Sequence, residues 1–185
     1  MGDVGNQLTN LQVATEYGNY NCPFVCEANT WYHIAVVFKE RKAYIYFDGD
    51  LKGTSQEFNM YNYYYLNSVN LSPAWSYEPS GNRCFWVGYS YETNRDTYGQ
   101  MTEVRIWNKA LTADEINAPN HFYTVDPNSE GLFSYWKFVE GEGSTVADAT
   151  GKGNPLYGEL DVRKQGNDNI GDAGIDWVEV ALPDK

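Results

Sequence analysis

Residues 30–53 constrain the fold of this chain more tightly than any other stretch, because a polar turn separates two apolar runs there. The runs 31–38 and 43–47 are rich in β-branched and aromatic residues, and the charged residues 39–42 lie between them. Asp48-Gly49, a dipeptide that tolerates positive φ, closes the second run. This pattern predicts two adjacent antiparallel strands. Because both runs are apolar at successive positions, it also predicts that the hairpin lies in the centre of a sheet.

The composition favours a globular β protein that recognises polar ligands. The chain has 185 residues, 42% of them hydrophobic, which is enough for a full core in one β-sandwich or two small domains. Aromatic residues make up 16% of the chain and suit recognition of polar ligands through flat apolar faces. The net charge of −12 disfavours nucleic acid and anionic membrane surfaces as partners.

The sequence carries few signals of a cellular compartment. No apolar run approaches membrane-spanning length, so we expect no direct membrane insertion. Residues 1–5 lack the basic and apolar regions of a signal peptide, and we expect any export signal to be absent from this chain. Cys22 and Cys26 either form a disulfide in an oxidising compartment or act as small half-buried hydrophobes, and Cys84 is predicted to lie in the core.

Other stretches predict further strands and one helix. We expect strands at 8–14, 84–89 and 100–107, a loop at 19–29 and a long connection at 54–82. The helix start is marked by a capping box, in which Thr112 and Glu115 each accept a hydrogen bond from the other's backbone amide. Pro119 ends this helix after about two turns.

Four motifs together resemble a known family. Residues 30–37, 46–49, 87–89 and 99–116 are similar in order and spacing to the laminin-G-like jelly roll of the concanavalin A-like lectin/glucanase superfamily. The resemblance implies an all-β fold, a two-sheet antiparallel jelly-roll sandwich with one short helix near 112–118. With the Tyr-rich connection and the tail, the chain also resembles modules of Bacteroidetes cell-surface proteins, which implies an extracellular or cell-surface location.

The tail is similar to the segment that usually opens a module of this family. Residues 131–138, 140–143 and 148–154 carry that similarity, but here they follow the closing motif. We expect 1–185 to form a single sandwich, truncated or permuted, with 131–185 folding back onto it; a second module that has been cut off is the alternative. Residues 175–180 would then form a final edge strand, guarded by acidic side chains.

The sequence provides no candidate catalytic residues. A retaining glycoside hydrolase needs two carboxylates about 5 to 5.5 Å apart, and the resemblance implies that such a pair would alternate along one strand. The pairs Asp48/Asp50 and Glu140/Glu142 lie instead in a turn and a Gly-rich loop. His33 is predicted to be a core histidine. We therefore expect a protein that is not an enzyme.

Carbohydrate binding has better candidates, because sugar C–H faces stack on aromatic rings while hydroxyls bond to polar side chains. The Tyr-rich segment 61–82 offers both kinds of group, and Pro73 and Pro79 favour exposure of the residues between them. Alternatively, these rings cover the sandwich. Trp86, Trp107 and Trp136 are predicted to be core residues. The predicted carbohydrate-binding residues are Trp75, Tyr77, Tyr63, Tyr65, Tyr91, Asn82 and Arg83.

The resemblance also implies a structural calcium, although the interpretation requires no cofactor. Asp148 and Asn154 match half of the family's calcium-binding pattern as oxygen ligands. Thr102 stands where the other half would have an aspartate. The alternative is an Asx turn in which Asp148 orders the glycine loop.

The resulting hypothesis is a noncatalytic, extracellular carbohydrate-binding module of a larger surface protein. Its expected partners are a polysaccharide or other glycan and the further domains of that parent protein. A protein–protein adhesion or spacer module is the alternative, in which the aromatic loop packs against a neighbouring domain. A glycoside hydrolase of the same fold is a third interpretation.

Overall fold

The computed structural model describes residues 10–15, 18–58, 87, 99–158 and 177–183. Within this part the protein is built from antiparallel β-sheets and one helical turn, α1 (Ala113–Ile116), which confirms the predicted all-β class with a short helix. None of the described helices is long and apolar enough to cross a membrane. The strands are β1 (Asn10–Thr15), β2 (Gly18–Val25), β3 (Ile34–Lys39), β4 (Lys42–Phe47), β5 (Asp50–Thr54), β6 (Val104–Trp107), β7 (Leu132–Trp136), β8 (Thr145–Val146) and β9 (Leu156–Tyr157).

The described residues divide between two compact units. The first unit contains β1 to β5, residues 107–126 with α1, and residues 182–183. The second contains residues 99–106, 127–158 and 177–181, and therefore β7, β8 and β9. The single sandwich predicted for 1–185 stays a prediction.

The predicted hairpin is present, and its turn is tighter than expected. β3 and β4 pair from Ile34↔Phe47 to Lys39↔Lys42, so that Glu40 and Arg41 alone form the turn. Both turn residues have positive φ, 50° and 62°, the backbone conformation that a two-residue hairpin turn of this kind requires.

Among the described strands, one strand of the hairpin lies in the centre of its sheet. In the described three-stranded sheet the order is β3-β4-β5, so β4 is central and β3 lies at an edge. The inward residues of β4 are buried, whereas Ile34, Val36 and Phe38 of β3 remain 38–39% exposed.

β5, which follows the second turn, was not predicted. Asp48 and Gly49 connect β4 to β5 with φ values of 51° and 81°. The helix α1 packs against this turn, because the side-chain amide of its C-cap residue, Asn117, donates to the Gly49 carbonyl oxygen at 3.0 Å. The same amide donates to the Ala113 carbonyl oxygen at 2.9 Å. The turn and the helix are therefore joined by one side chain.

Two other predicted elements differ from the structure. The strand predicted at 8–14 is confirmed as β1, but the expected loop at 19–29 is mostly the strand β2. Proline is usually excluded from strands, but Pro23 is tolerated in β2 because it lies where the β1–β2 register shifts. The shift falls between the pairs Asn10↔Val25 and Gln12↔Asn21. The predicted edge strand at 175–180 is wrong for its described residues, since 177–180 form no strand.

The core of the first unit lies where β2 packs against β5. Cys22 and Cys26 are buried there as free thiols, beside Ile45, Phe47 and Phe58. Burial raises the pKa of the Cys26 thiol above its ordinary value. The two cysteines therefore contribute to this core as small hydrophobes.

The second unit contains β7, which lies in the tail segment 131–138. β7 pairs with β6, the strand that follows Glu103. Tyr135 and Trp136 of β7 are fully buried, which confirms the prediction that Trp136 is a core residue. Trp136 also forms an isolated bridge with Asp148, and this bridge brings the glycine loop against β7.

Candidate functional site

The predicted carbohydrate-binding residues fall outside the described residues. They remain predictions, and the strand predicted at 84–89 is described only at Val87. The residues concerned are Trp75, Tyr77, Tyr63, Tyr65, Tyr91, Asn82 and Arg83.

The loop proposed to hold calcium is ordered around Asp148. The Oδ1 atom of Asp148 accepts hydrogen bonds from the Thr150 amide at 3.0 Å, the Thr150 hydroxyl at 2.7 Å and the Tyr135 amide at 3.1 Å. The Asn154 amide donates to Oδ2 at 3.4 Å. Asn154 is itself held to β7, because its side-chain amide donates to the Ser134 hydroxyl and its carbonyl accepts from the Trp136 indole.

These contacts fix the charge state of Asp148. Burial raises the pKa of the carboxyl, but the hydrogen bonds from Thr150, Tyr135 and Asn154 together outweigh burial and hold the pKa below its ordinary value. The carboxylate is therefore stabilised by donors from within the chain.

The oxygen atoms of Asp148 Oδ1 and the Thr102 hydroxyl are engaged in hydrogen bonds within the chain. Calcium takes six to eight oxygen ligands, but Oδ1 of Asp148 already accepts three hydrogen bonds, and the Thr102 hydroxyl donates to the Lys137 carbonyl oxygen at 2.8 Å. Among the described residues no group of three or more His, Cys, Asp or Glu side chains could hold a metal ion. The contacts match an Asx turn, and calcium at Asp148 and Asn154 stays a prediction.

Three of the four acids that were weighed as catalytic pairs make local structural contacts, and the fourth, Glu142, is exposed. Asp48 Oδ1 accepts from the His33 amide at 2.9 Å, and Asp50 forms an ion pair with Lys52 at 3.1 Å. Glu140 Oε1 accepts from the Ala147 amide at 2.9 Å. These are the roles expected of turn and loop residues.

The two histidines lie together, which the sequence did not predict. His33 lies immediately before β3, and its ring centroid is 5.7 Å from that of His121 and 4.5 Å from that of Phe122. His121 is buried, and it stacks on Trp107 with centroids 6.0 Å apart. The cluster joins the segment after α1 to the start of β3, so its contacts are those of a packing site.

A second unpredicted cluster surrounds Tyr135. Its hydroxyl donates to Glu103, which is also paired with Arg105, and the guanidinium carbon of Arg105 lies 5.0 Å from the Tyr135 ring centroid. The Lys137 ammonium lies 5.2 Å from the same centroid. Glu103 has a positive φ of 56°. Glu103 and Arg105 therefore contact a buried tyrosine of β7.

An exposed tyrosine and a half-buried tryptophan lie at a different glycine-containing loop of the second unit, residues 139–145. The Trp177 indole donates to the Gly143 carbonyl oxygen at 2.7 Å. Tyr157 of β9, directly opposite Thr145 of β8, is 53% exposed. Neither residue was among the predicted carbohydrate-binding residues, because neither lies in the Tyr-rich segment.

Comparisons with known proteins give a family for the chain and one similar solved structure. The laminin G family described as "Concanavalin A-like lectin/glucanases superfamily" matches residues 5–117, which is more than half of the chain. A solved Bacteroides ovatus structure, described as a "putative carbohydrate binding protein", is similar with a TM-score of 0.55 and 26% identity. The similarity covers 80% of this chain but only 39% of the Bacteroides protein. No curated protein sequence matches the chain significantly.

Proposed function

This chain belongs to the concanavalin A-like lectin/glucanase superfamily, and on that basis we propose that it is a noncatalytic, lectin-like module that binds carbohydrate as part of a larger cell-surface protein. The observation that carries the proposal is the Bacteroides ovatus relative, whose description names carbohydrate binding and whose similarity extends over 80% of this chain. A fold shared with glucanases does not by itself separate binding from hydrolysis.

The described acids support a role without catalysis. Hydrolysis requires one carboxyl that donates a proton and a second that acts as nucleophile or base. In this chain Asp48 and Glu140 each accept a hydrogen bond from a backbone amide. Asp50 forms an ion pair with a lysine. A polysaccharide that binds should therefore be released unchanged.

Glycan-array screening followed by calorimetry tests the binding proposal. Replacing Trp75 or Tyr77 with alanine should weaken binding by about tenfold, because stacked Trp and Tyr side chains commonly contribute more than about 1 kcal/mol to an interface. Leu51→Ala is the matched control, since this side chain is 51% exposed in the first unit and belongs to no proposed site. Release of reducing sugar from a bound polysaccharide would contradict the noncatalytic role.

Failure of the wild-type protein to bind any glycan would refute carbohydrate recognition. Protein–protein adhesion or a spacer role would then account better for the aromatic segment. Equal affinities of the Trp75→Ala, Tyr77→Ala and Leu51→Ala variants, with wild-type binding intact, would instead place the site elsewhere on the chain.

A further inference from the structure

One surface of the second unit combines a held loop with an exposed tyrosine ring and a half-buried tryptophan ring. We call it the glycine-loop surface; it consists of residues 139–145 together with Tyr157 and Trp177. Its loop is closed at the base, where Glu140 Oε1 accepts from the Ala147 amide at 2.9 Å, and the β8–β9 pair follows directly. The Gly158 amide also donates to the Ser144 carbonyl oxygen at 2.7 Å. These contacts hold the loop backbone in place before any ligand arrives.

The aromatic side chains of this surface are held at defined places. The 2.7 Å hydrogen bond from the Trp177 indole to Gly143 fixes the indole against the middle of the loop. Tyr157 is held by strand pairing opposite Thr145 while 53% of it remains exposed. Trp and Tyr lose little conformational entropy when they contact a ligand, and a ring that is already positioned loses less.

The loop backbone is also open to approach. Gly141 and Gly143 have positive φ values of 74° and 79°, and a Cβ atom added at either position would meet no atom within 4 Å. Glycine at such positions lets a ligand come close to the main chain. Val139, at the start of the same loop, is 73% exposed, so the surface is apolar as well as open.

Anchoring of the C-terminal segment is the simpler explanation for Trp177. An anchor accounts for the indole hydrogen bond, but it leaves the exposure of Tyr157 and Val139 unexplained. It also leaves Val178, the residue next to Trp177, 60% exposed. Exposed apolar side chains beside a held loop are instead what a ligand-contact surface requires.

We propose that the glycine-loop surface is a second carbohydrate-contact site, which takes pyranose rings of a neutral polysaccharide. The C–H faces of the sugar would stack on Tyr157 and Trp177, and its hydroxyls would bond to the exposed side chains of Glu142 and Thr145. The acidic side chains at 140, 142 and 179 and the net charge of −12 oppose anionic glycans. This inference rests on the proposed carbohydrate binding and adds a site to it.

Calorimetry with soluble neutral polysaccharides tests the site, using hydroxyethyl cellulose, xyloglucan and galactomannan, with polygalacturonate as the anionic comparison. Tyr157→Ala should weaken binding of the best neutral polysaccharide by about fivefold, the effect of losing one aromatic contact. Trp177→Ala should weaken it at least as much. Trp177→Phe keeps a ring but loses the indole N–H, and should lie between Trp177→Ala and wild type. Leu51→Ala, in the other unit, should leave the affinity unchanged.

A direct contact readout separates binding from folding. The chain has six tryptophans, and the indole N–H signal that disappears in Trp177→Phe identifies Trp177 in an NMR spectrum. That signal should shift when the neutral polysaccharide is added, whereas an indole that only anchors the chain would not move. Tyr157→Ala keeps this anchor, so its affinity remains informative even where Trp177→Ala fails to fold.

The outcomes distinguish this site from the proposed function itself. If the wild-type protein binds a neutral polysaccharide and both Tyr157→Ala and Trp177→Ala bind it equally well, the glycine-loop site is refuted while carbohydrate binding stands. Tighter binding of polygalacturonate than of every neutral polysaccharide refutes the predicted ligand class. If the wild-type protein binds none of the polysaccharides, both proposals are overturned.

Discussion

Replacing Gly49 with alanine tests whether the joint between α1 and the β4–β5 turn stabilises the first unit. A Cβ atom at this position would lie 1.9 Å from Oδ1 and 2.8 Å from Cγ of Asn117. Asn117 would have to move and would lose its 3.0 Å hydrogen bond to the Gly49 carbonyl oxygen, at a cost of about 0.5–1.5 kcal/mol. Alanine at a φ of +81° costs a further ~1–2 kcal/mol.

The two costs together predict a loss of about 1.5–3.5 kcal/mol in the free energy of unfolding, measured by urea denaturation. Gly141→Ala is the matched control, because Gly141 has a similar φ of +74° and open space where the Cβ would go. It should lose only the backbone part, ~1–2 kcal/mol.

A double-mutant cycle isolates the clash from the backbone strain. In an Asn117→Ala background the obstructing amide is gone, so Gly49→Ala should cost no more than Gly141→Ala does. Strictly additive effects of Gly49→Ala and Asn117→Ala would refute the steric argument. Equal losses for Gly49→Ala and Gly141→Ala in the wild-type background would refute it as well.

Three further predictions follow from the described contacts. Thr112→Ala should lower the free energy of unfolding by ~1 kcal/mol, while Thr112→Ser keeps the cap and most of the stability in the same urea experiment. The pKa of Asp148 is lower in the folded state than in the unfolded state. Its ionised carboxylate therefore stabilises the fold above the unfolded pKa, about 4, and this stabilisation is lost as the pH falls through the folded pKa. The free energy of unfolding of Asp148→Asn should therefore fall less on acidification than that of the wild-type protein. The buried Cys26 thiol, whose pKa is raised, should react with iodoacetamide far more slowly in the folded protein than in urea, and equal rates would contradict its burial.

The features that the sequence predicted correctly depend on neighbouring residues. The capping box at Thr112 needs only four consecutive residues, and the hairpin at 34–47 needs only two runs and a short turn. β2 was missed because its Asn, Cys and Pro residues favour a loop locally, and its strand conformation comes from pairing with β1. Propensity could not anticipate that pairing.

In the candidate sites, too, contacts between neighbouring residues were predicted and contacts between distant residues were not. The Asx turn at Asp148 was foreseen as an alternative, because Thr150 and the glycines lie within a few residues of it. The contact between Trp177 and Gly143 joins residues 34 positions apart, so no local sequence pattern predicts it. The predicted binding residues therefore lay in and near the Tyr-rich segment, where aromatic residues are dense. They did not include Tyr157 and Trp177, the two rings that the fold brings to one loop.

Asp148 and the glycine-loop surface should be coupled, because Asp148 holds the end of the loop that presents the surface. It follows Ala147, whose amide closes the loop through Glu140, and its own carboxylate is bound by the Tyr135 amide of β7. Asp148→Asn removes the charge that these donors stabilise, without altering any side chain proposed to contact the sugar. We expect it to weaken polysaccharide binding at neutral pH while leaving the Trp177 indole signal responsive to saturating ligand. Unchanged affinity, together with a measured loss of stability, would show that the Asx turn supports the fold alone and that the surface does not depend on it.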